Sequence, residues 1–554
     1  MADRVSGAIA PLLLLALAAP VAAQSPLAVT PDRERSRHDA LHYDAWIRLA
    51  NAGDAFQAAV ATRWRLTDDQ PILIDLDGGY EIVTLTLNGA PARFTRAGDE
   101  ISVALPGGAT GDVVTRIEYR GAPPPFLGRQ GEAGAGRATP QSDGLVQRGR
   151  GPTRKIFADN WPDRARKWLA AQDHPSDKAT IAWTIEAPAA LTVVANGAEA
   201  GVEPIDGDMR RWRFVMEQPI PVYTMVIGAA RFAVTRLAPA ACDRRCVPVS
   251  VLTYPADSGW AVNGPFRRAG EMIDYFSDLI APFPYGELRH VQTSTIFGGM
   301  ENATAIFYDE RAFTGRTLSE GTVAHETAHQ WFGDSATERD WHHLWLSEGF
   351  ATYASALWNG HTGGESALRQ TMAQNRTGVV ASPDTERPII DPDATDLMGL
   401  LNSNNYPKGA WVLHTLRGLV GDSAFFRGIR RYYRTFEHGT ALSSDLAAIM
   451  SDEAGQDLTW YFEQALTQPG YPILRVDTRA QGGHVSVTIE QVQKAAWGTF
   501  RLPNLTIRVA GRTMVVPMTD RRASTVFHWE GADPPAIEVD PEGWWLLATE
   551  PAKP

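Results

Sequence analysis

The stretch His325-Glu326-Thr327-Ala328-His329 limits this 554-residue chain more than any other part of it. On a helix, positions i and i+4 share one face, so both imidazoles can reach one metal ion. Glu326 sits one residue round from His325, near any water on that ion. A catalytic metal site takes a third protein ligand and keeps one position open. The segment Trp345-Leu346-Ser347-Glu348-Gly349-Phe350 supplies the candidate, Glu348, with eighteen residues between it and His329. The fold therefore has to return Glu348 to the face that carries both histidines. Two histidines and a carboxylate suit Zn2+, which lowers the pKa of bound water to about 7. Chance would give the five-residue pattern to roughly one or two such sequences in a hundred, and the added Glu at a fixed spacing lowers that to about one in a thousand.

Bulk properties narrow the classes further. With 44% hydrophobic and 21% charged residues the chain is an ordinary globular one, long enough for roughly three or four domains. Its net charge of −12 and the lack of a basic stripe speak against a nucleic-acid binder. Residues 1–23 read as a signal peptide: Arg4 supplies a weak n-region, Leu12 to Leu17 an apolar h-region, and Val21-Ala22-Ala23 a small-residue cleavage site. The apolar run is too short to span a bilayer and Pro11 and Pro20 flank it, so no membrane span is expected. The product would be exported, periplasmic or secreted. In that setting the two cysteines, Cys242 and Cys246, are expected to form one local disulfide that pins a turn.

Three regions follow one another along the chain. Alternating runs such as Ala59 to Leu66 and Ile82 to Leu87, with the turn signal Asn88-Gly89, give a β-rich N-terminal domain over 24–236. Within it, residues 122–152 read as a long irregular loop rich in Gly, Pro, Gln and Arg. Residues 237–475 open on a helix through Met272, Ile273, Phe276 and Ile280 and a strand from His290 to Ile296. Helical patterns then dominate, including Tyr406 to Leu419 and Phe425 to Phe436. After Pro469-Gly470-Tyr471-Pro472 strands return, and 476–554 fits a small β-sandwich. The fold class is multidomain α+β.

His325-Glu326-x-x-His329, the eighteen-residue gap and Glu348 resemble the gluzincin aminopeptidases, the family of aminopeptidase N and leukotriene-A hydrolase. Three more blocks follow the family's order. Gly298-Gly299-Met300-Glu301-Asn302 resembles its exopeptidase motif, Tyr406-Pro407-Lys408-Gly409 its Tyr-x-Lys-Gly, and Arg166 to Lys178 a degenerate form of its N-terminal-domain signature. The resemblance covers roughly residues 40 to 475. It implies a thermolysin-like catalytic domain over 237–475, with a helical second half, holding zinc on His325, His329 and Glu348.

It also implies roles. Glu326 would move the protons, and the Tyr406 hydroxyl would meet the oxyanion of a tetrahedral intermediate. Glu301 would bind the substrate's α-ammonium, a group whose charged form a nearby carboxylate favours. Gly298 and Gly299 would lie against the extended peptide, Met300 would line the pocket for its first residue, and Asn302 would support the loop. The family often adds a Gln or Glu from its N-terminal domain as a second amine ligand. Aligning on Arg166 puts Asp159, Asn160 or Trp161 in that neighbourhood. Asp334 is a candidate support for a ligand histidine, and His342 and His343 read as surface or packing residues. The function implied is a zinc-dependent aminopeptidase acting on peptides with a free N-terminus. The rivals are an endopeptidase or epoxide hydrolase on the same scaffold, or an inactive peptide-binding relative. The Gly-Gly-Met-Glu-Asn block speaks against an endopeptidase, and an inactive relative should have lost Glu326, a zinc ligand or Tyr406.

Overall fold

The computed structural model describes residues 25–31, 38–126, 142–243, 245–531 and 533–550; the signal-peptide segment 1–23 lies outside them. The first region is built on an eight-stranded sheet. Its order is Ala198–Ile205, Met209–Pro221, Lys178–Pro188, Asp39–Leu49, Phe56–Leu66, Gly111–Gly121, Glu81–Leu87 and Ala90–Pro91. Asp39–Leu49 runs parallel to Lys178–Pro188 and antiparallel to Phe56–Leu66. Its Tyr43, Ala45, Ile47 and Leu49 are buried in strict alternation, the period-2 signature of a strand with one covered face. A smaller sheet (Thr192–Ala195, Ile227–Ala230, Lys155–Asp159, Gly144–Arg148) carries the chain toward the centre of the molecule.

The expected loop over 122–152 is therefore interrupted. Gly144–Arg148 pairs with Lys155–Asp159, and its Leu145 and Val146 are buried. The Gly- and Arg-rich surroundings hid a five-residue strand too short to show a period.

The second region starts on a five-stranded sheet: Ala233–Arg236, Val249–Thr253, Leu288–Thr293, Ala305–Asp309 and Gly299–Met300. The three central strands are parallel. All six residues of Leu288–Thr293 are buried, as expected for a strand covered on both faces. Ala233–Arg236 belongs to this sheet and Ile473–Gln481 to the tail, so the sheets change a few residues ahead of 237 and 476. Gly299–Met300 forms one edge, pairing only with Ala305–Asp309.

Helices follow the sheet. Glu320–Ala328 packs on Trp345–Gly363, which packs in turn on Gly409–Phe436. The two helical patterns expected at 406–419 and 425–436 form one run, broken where Gly421 takes φ +77°. Asn404–Lys408 forms a wider turn ahead of it, around Pro407, because proline cannot donate into a regular helix. The tail holds a four-stranded sheet (Arg522–His528, His484–Gln491, Ile473–Gln481, Ala548–Glu550) and a three-stranded one (Arg512–Val515, Thr506–Val509, Ile537–Val539). Cys242 and Cys246 are joined in a disulfide. Among the described residues no helix is long and apolar enough to cross a membrane.

Candidate metal centre and peptide site

Ser319 caps the helix that carries the histidines, its Oγ accepting from the Thr322 amide at 3.0 Å, so the first turn is fixed where sequence alone leaves it free. His325 and His329 leave this helix on one face, and Glu348 meets them from the next helix. The His325 Nε2 and His329 Nε2 lie 3.0 Å apart, and each is 3.2 Å from Glu348 Oε2. A triangle with such sides has its corners about 1.8 Å from its centre, so an ion slightly above its plane meets all three at the usual zinc distances of about 2.0–2.1 Å. The three donors fit a zinc ion.

The outer contacts fix the ligands' orientation. His329 Nδ1 lies 3.0 Å from the Phe332 carbonyl oxygen and 3.0 Å from Ser347 Oγ. A carbonyl only accepts, so Nδ1 carries the proton and Nε2 presents its lone pair to the ion. The support is therefore a backbone carbonyl and a serine, not Asp334. Asp334 Oδ2 instead accepts from Gln330 Nε2 at 2.7 Å, and Gln330 also donates to the Glu301 carbonyl at 2.7 Å and accepts from the Thr304 amide at 2.9 Å. Gln330, the residue after the second histidine, thus ties the 301–304 turn to the metal-ligand helix. Neither Gln330 nor Ser347 stood out in the sequence, where only their adjacency to ligands marks them. His342 and His343 are both buried. The first is held by Asp340 and the Ala394 carbonyl, the second by Ser443 and the Val29 carbonyl. Both pack the interior and neither is at the surface.

Electrostatically the site is built for cations. Burial alone would raise the Glu348 carboxyl, yet the imidazoles opposite hold it below the ordinary range. Burial disfavours a charged His329, but Glu348, Glu301 and Glu326 outweigh it and raise its pKa. Burial keeps His325 neutral, the form that binds metal. Burial pushes Glu301 up to about 7, with the Glu348 charge adding to it, and raises Glu326 well above the ordinary range, with Glu301 and Glu348 adding to it. Positive charge placed beside them would relieve both.

Glu301, Glu326 and His329 bring their donor atoms within 4.8 Å of one another. Tyr406 stacks parallel to the His325 ring at 6.0 Å and donates to Glu348 Oε1 at 2.6 Å, leaving Oε2 to face the imidazoles. Burial, then Glu348, raises its pKa, so the hydroxyl stays a donor.

One cavity of about 270 Å³ joins these groups; it is lined by Gly298 to Glu301, His325, Glu326, His329, Glu348 and Tyr406, with Trp161, Phe297, Thr322 and Leu401 around them. A Cβ on Gly299 would lie 2.1 Å from Glu326 Oε1, so only glycine lets the edge strand run against that carboxylate. Asn302 lies behind the lining: its Nδ2 reaches the Met300 carbonyl at 3.4 Å, a contact that supports the turn. The expected metal ligands, Glu326, Tyr406 and Gly298 to Glu301 all line this one cavity, whereas Asn302, Asp159, Asn160 and Asp334 do not.

Two histidines and one carboxylate in a triangle, with an adjoining acid, sit between a sheet edge and two helices and form a candidate metal centre. Residues 266–464 match the model of the Peptidase family M1 domain. The leucyl aminopeptidase of Saccharolobus solfataricus is 26% identical over 509 residues, 87% of this chain and 60% of that one. Aminopeptidase N of Streptomyces lividans is 30% identical over 352 residues, 60% of this chain and 40% of that one. The chain thus spans about half the length of these relatives. Among solved structures, the M1 zinc metallopeptidase from Deinococcus radiodurans superposes with a TM-score of 0.68 at 23% identity, over 78% of this chain and 94% of that one. Legionella pneumophila aminopeptidase A superposes at 0.78 with 15% identity, over 94% of this chain and 60% of that one. These likenesses carry the fold, including the arrangement of β-rich first region and helical second half.

Proposed function

We propose that the chain is a zinc-dependent aminopeptidase, hydrolysing the first peptide bond of peptides with a free α-amine. The observation that carries this reading is Glu301, a buried carboxylate at the closed end of an edge strand, facing the cavity beside the ligand triangle. A peptide laid along Gly298-Gly299 would extend the sheet edge by one strand. Its terminal ammonium would meet Glu301, which sets the register so that only the first peptide bond reaches the reacting groups.

Zinc on His325, His329 and Glu348 supplies a Lewis acid that lowers the pKa of water to about 7 and polarises a carbonyl. Glu326, whose raised pKa suits a proton carrier, takes the proton of the attacking water and passes it to the leaving amine. The Tyr406 hydroxyl shifts its donated bond from Glu348 to the developing oxyanion. His329, locked by Phe332 and Ser347, keeps its ring in place through the cycle.

The relatives named as aminopeptidases support the reading. Export is part of the proposal as well: the Cys242–Cys246 disulfide is at home in an oxidising compartment. The deciding experiment compares free and N-acetylated peptide amides. Wild-type enzyme should leave acetylated substrates nearly untouched. Glu301→Ala should lose about a hundredfold or more in kcat/KM on free amines, with zinc content unchanged, and should discriminate far less between the two forms. Internal cleavage of blocked peptides at comparable rates would refute the proposal.

A further inference from the structure

The N-terminal β-region reaches the peptide cavity at the end of the strand Lys155–Asp159, and three consecutive side chains there could face it. Two are already committed. Asp159 accepts from the Ile296 amide at 3.1 Å and from Thr295 Oγ1 at 3.3 Å, and pairs with Arg164 at 3.1 Å. Asn160 donates to the Met225 carbonyl at 2.7 Å and accepts from Trp168 Nε1 at 2.8 Å. Trp161 alone lines the cavity. It stands edge-on to Phe297, with centroids 6.1 Å apart, and to Trp341 at 5.4 Å, so its plane is set by aromatic packing on two sides. Arg164 Nε donates to the Trp161 carbonyl at 2.9 Å. The Arg164 charge is met by Asp143 and Asp159, and it does not line the cavity.

We propose that Trp161 completes the apolar, aromatic side of the pocket for the side chain of the substrate's first residue, and that the enzyme takes peptides opening on a bulky apolar or aromatic residue. The inference rests on the aminopeptidase reading and adds a substrate class to it. Trp161, Phe297, Met300 and Leu401 form the apolar part of the lining, and no Lys or Arg is among the lining residues. An acidic first residue would enter without a counter-charge and face Glu301 and Glu326, which the low-dielectric site makes unfavourable. A basic first residue would find each lining carboxylate committed: Glu301 to the α-ammonium, Glu326 to the reacting water, Glu348 to the histidines. An apolar side chain needs none of them. Its binding grows with the area that Trp161 and its neighbours cover.

The test uses zinc-loaded full-length enzyme and fluorogenic amides of Phe, Leu, Ala, Asp and Lys. Wild type should cleave Phe and Leu amides at least tenfold better than Ala amide in kcat/KM, a ratio one or two buried groups can supply, and Asp amide least of all. Trp161→Ala should shrink the Phe-to-Ala ratio about tenfold, and Trp161→Phe, which keeps an aromatic face, should restore most of it. Leu401→Ala, on the helical side of the cavity, should shrink the ratio too and serves if the Trp161→Ala protein does not fold. Fastest turnover of Asp or Lys amide overturns the proposal, and so does a Trp161→Ala enzyme slowed equally on all substrates. Cleavage of blocked peptides in place of free amides would sink the parent reading, an outcome distinct from a free-amine enzyme with the wrong preference.

Discussion

Glu326 keeps its place in the cavity only because Gly299 has no side chain. A methyl group there would sit 2.1 Å from Oε1 and 2.7 Å from Cγ of Glu326, so either the carboxylate swings away or the edge strand lifts off. Gly299→Ala should therefore reduce turnover at least a hundredfold while zinc content and thermal stability hold, because the ligand triangle and the hydrophobic core are untouched. Gly298→Ala is the control, since a Cβ at 298 meets no atom within 4 Å, and its loss should be much smaller. Steady-state kinetics on one small amide, with metal analysis of both variants, decides the matter; equal losses would place the effect in the substrate's path and not in Glu326. Ser347 makes a second test. Its Oγ lies 3.0 Å from His329 Nδ1, and Ser347→Ala leaves only the Phe332 carbonyl to orient the ring. Zinc affinity, read by competition with a chelator, should fall about tenfold.

Helix packing sets how closely Glu348 and Tyr406 approach. Gly349, next to Glu348, lies against Gly409 at the start of the following long helix: a Cβ on Gly349 would be 2.9 Å from the Gly409 carbonyl carbon, and one on Gly409 would be 2.9 Å from the Gly349 Cα. Backbone meets backbone, so no rotamer can relieve an added methyl. Gly349→Ala should cost on the order of 1–3 kcal/mol of stability and weaken zinc binding too, because it pushes Glu348 away from the turn that carries Tyr406. Thermal unfolding with and without chelator should show both effects; an unaltered melting temperature in both states would contradict this view of the crossing. The same crossing explains what was legible in advance. His325 and His329 follow from helix periodicity and Glu348 from its fixed spacing after them, so the metal ligands are legible directly. Partners made by tertiary approach could not. Gly349 looks like any helix glycine, Ser347 like any small residue, and the Phe332 carbonyl that holds His329 has no side-chain signature. Asp334 reads as a support because a carboxylate near a histidine is the visible kind; the chain uses it one step further out, on Gln330.

The regions are joined by polar contacts that a reading of each one alone cannot show. Lys178, on a strand of the eight-stranded sheet, sends its Nζ to the carbonyls of Asp334, Ser335 and Gly439 in the helical region. At the other end, His414 holds the tail. Its Nε2 donates to the Gly543 carbonyl at 3.1 Å, its Nδ1 accepts from the Tyr353 hydroxyl at 3.2 Å, and its ring stacks on Trp544 at 4.8 Å. Both ring nitrogens are used by the neutral tautomer, so a second proton has nowhere favourable to go. Burial, with Arg417 and Arg369 nearby, lowers the pKa from 6.5 to about 4. Below pH 6.5 the unfolded chain gains a proton that the folded chain refuses until about pH 4. The stability is therefore complete above pH 6.5 and is lost as the pH falls through that window, by about 3 kcal/mol at the lower end. His414→Gln keeps a donor and an acceptor in place and cannot charge. The variant should be somewhat less stable than wild type at pH 7, where the stacked ring is missed. It should then lose less on acidification, so that the two unfolding free energies converge or cross near pH 4.5. Denaturant unfolding at pH 7 and pH 4.5 measures this directly. Parallel losses in the two proteins would show that the seam between the long helix and the tail does not carry the acid sensitivity.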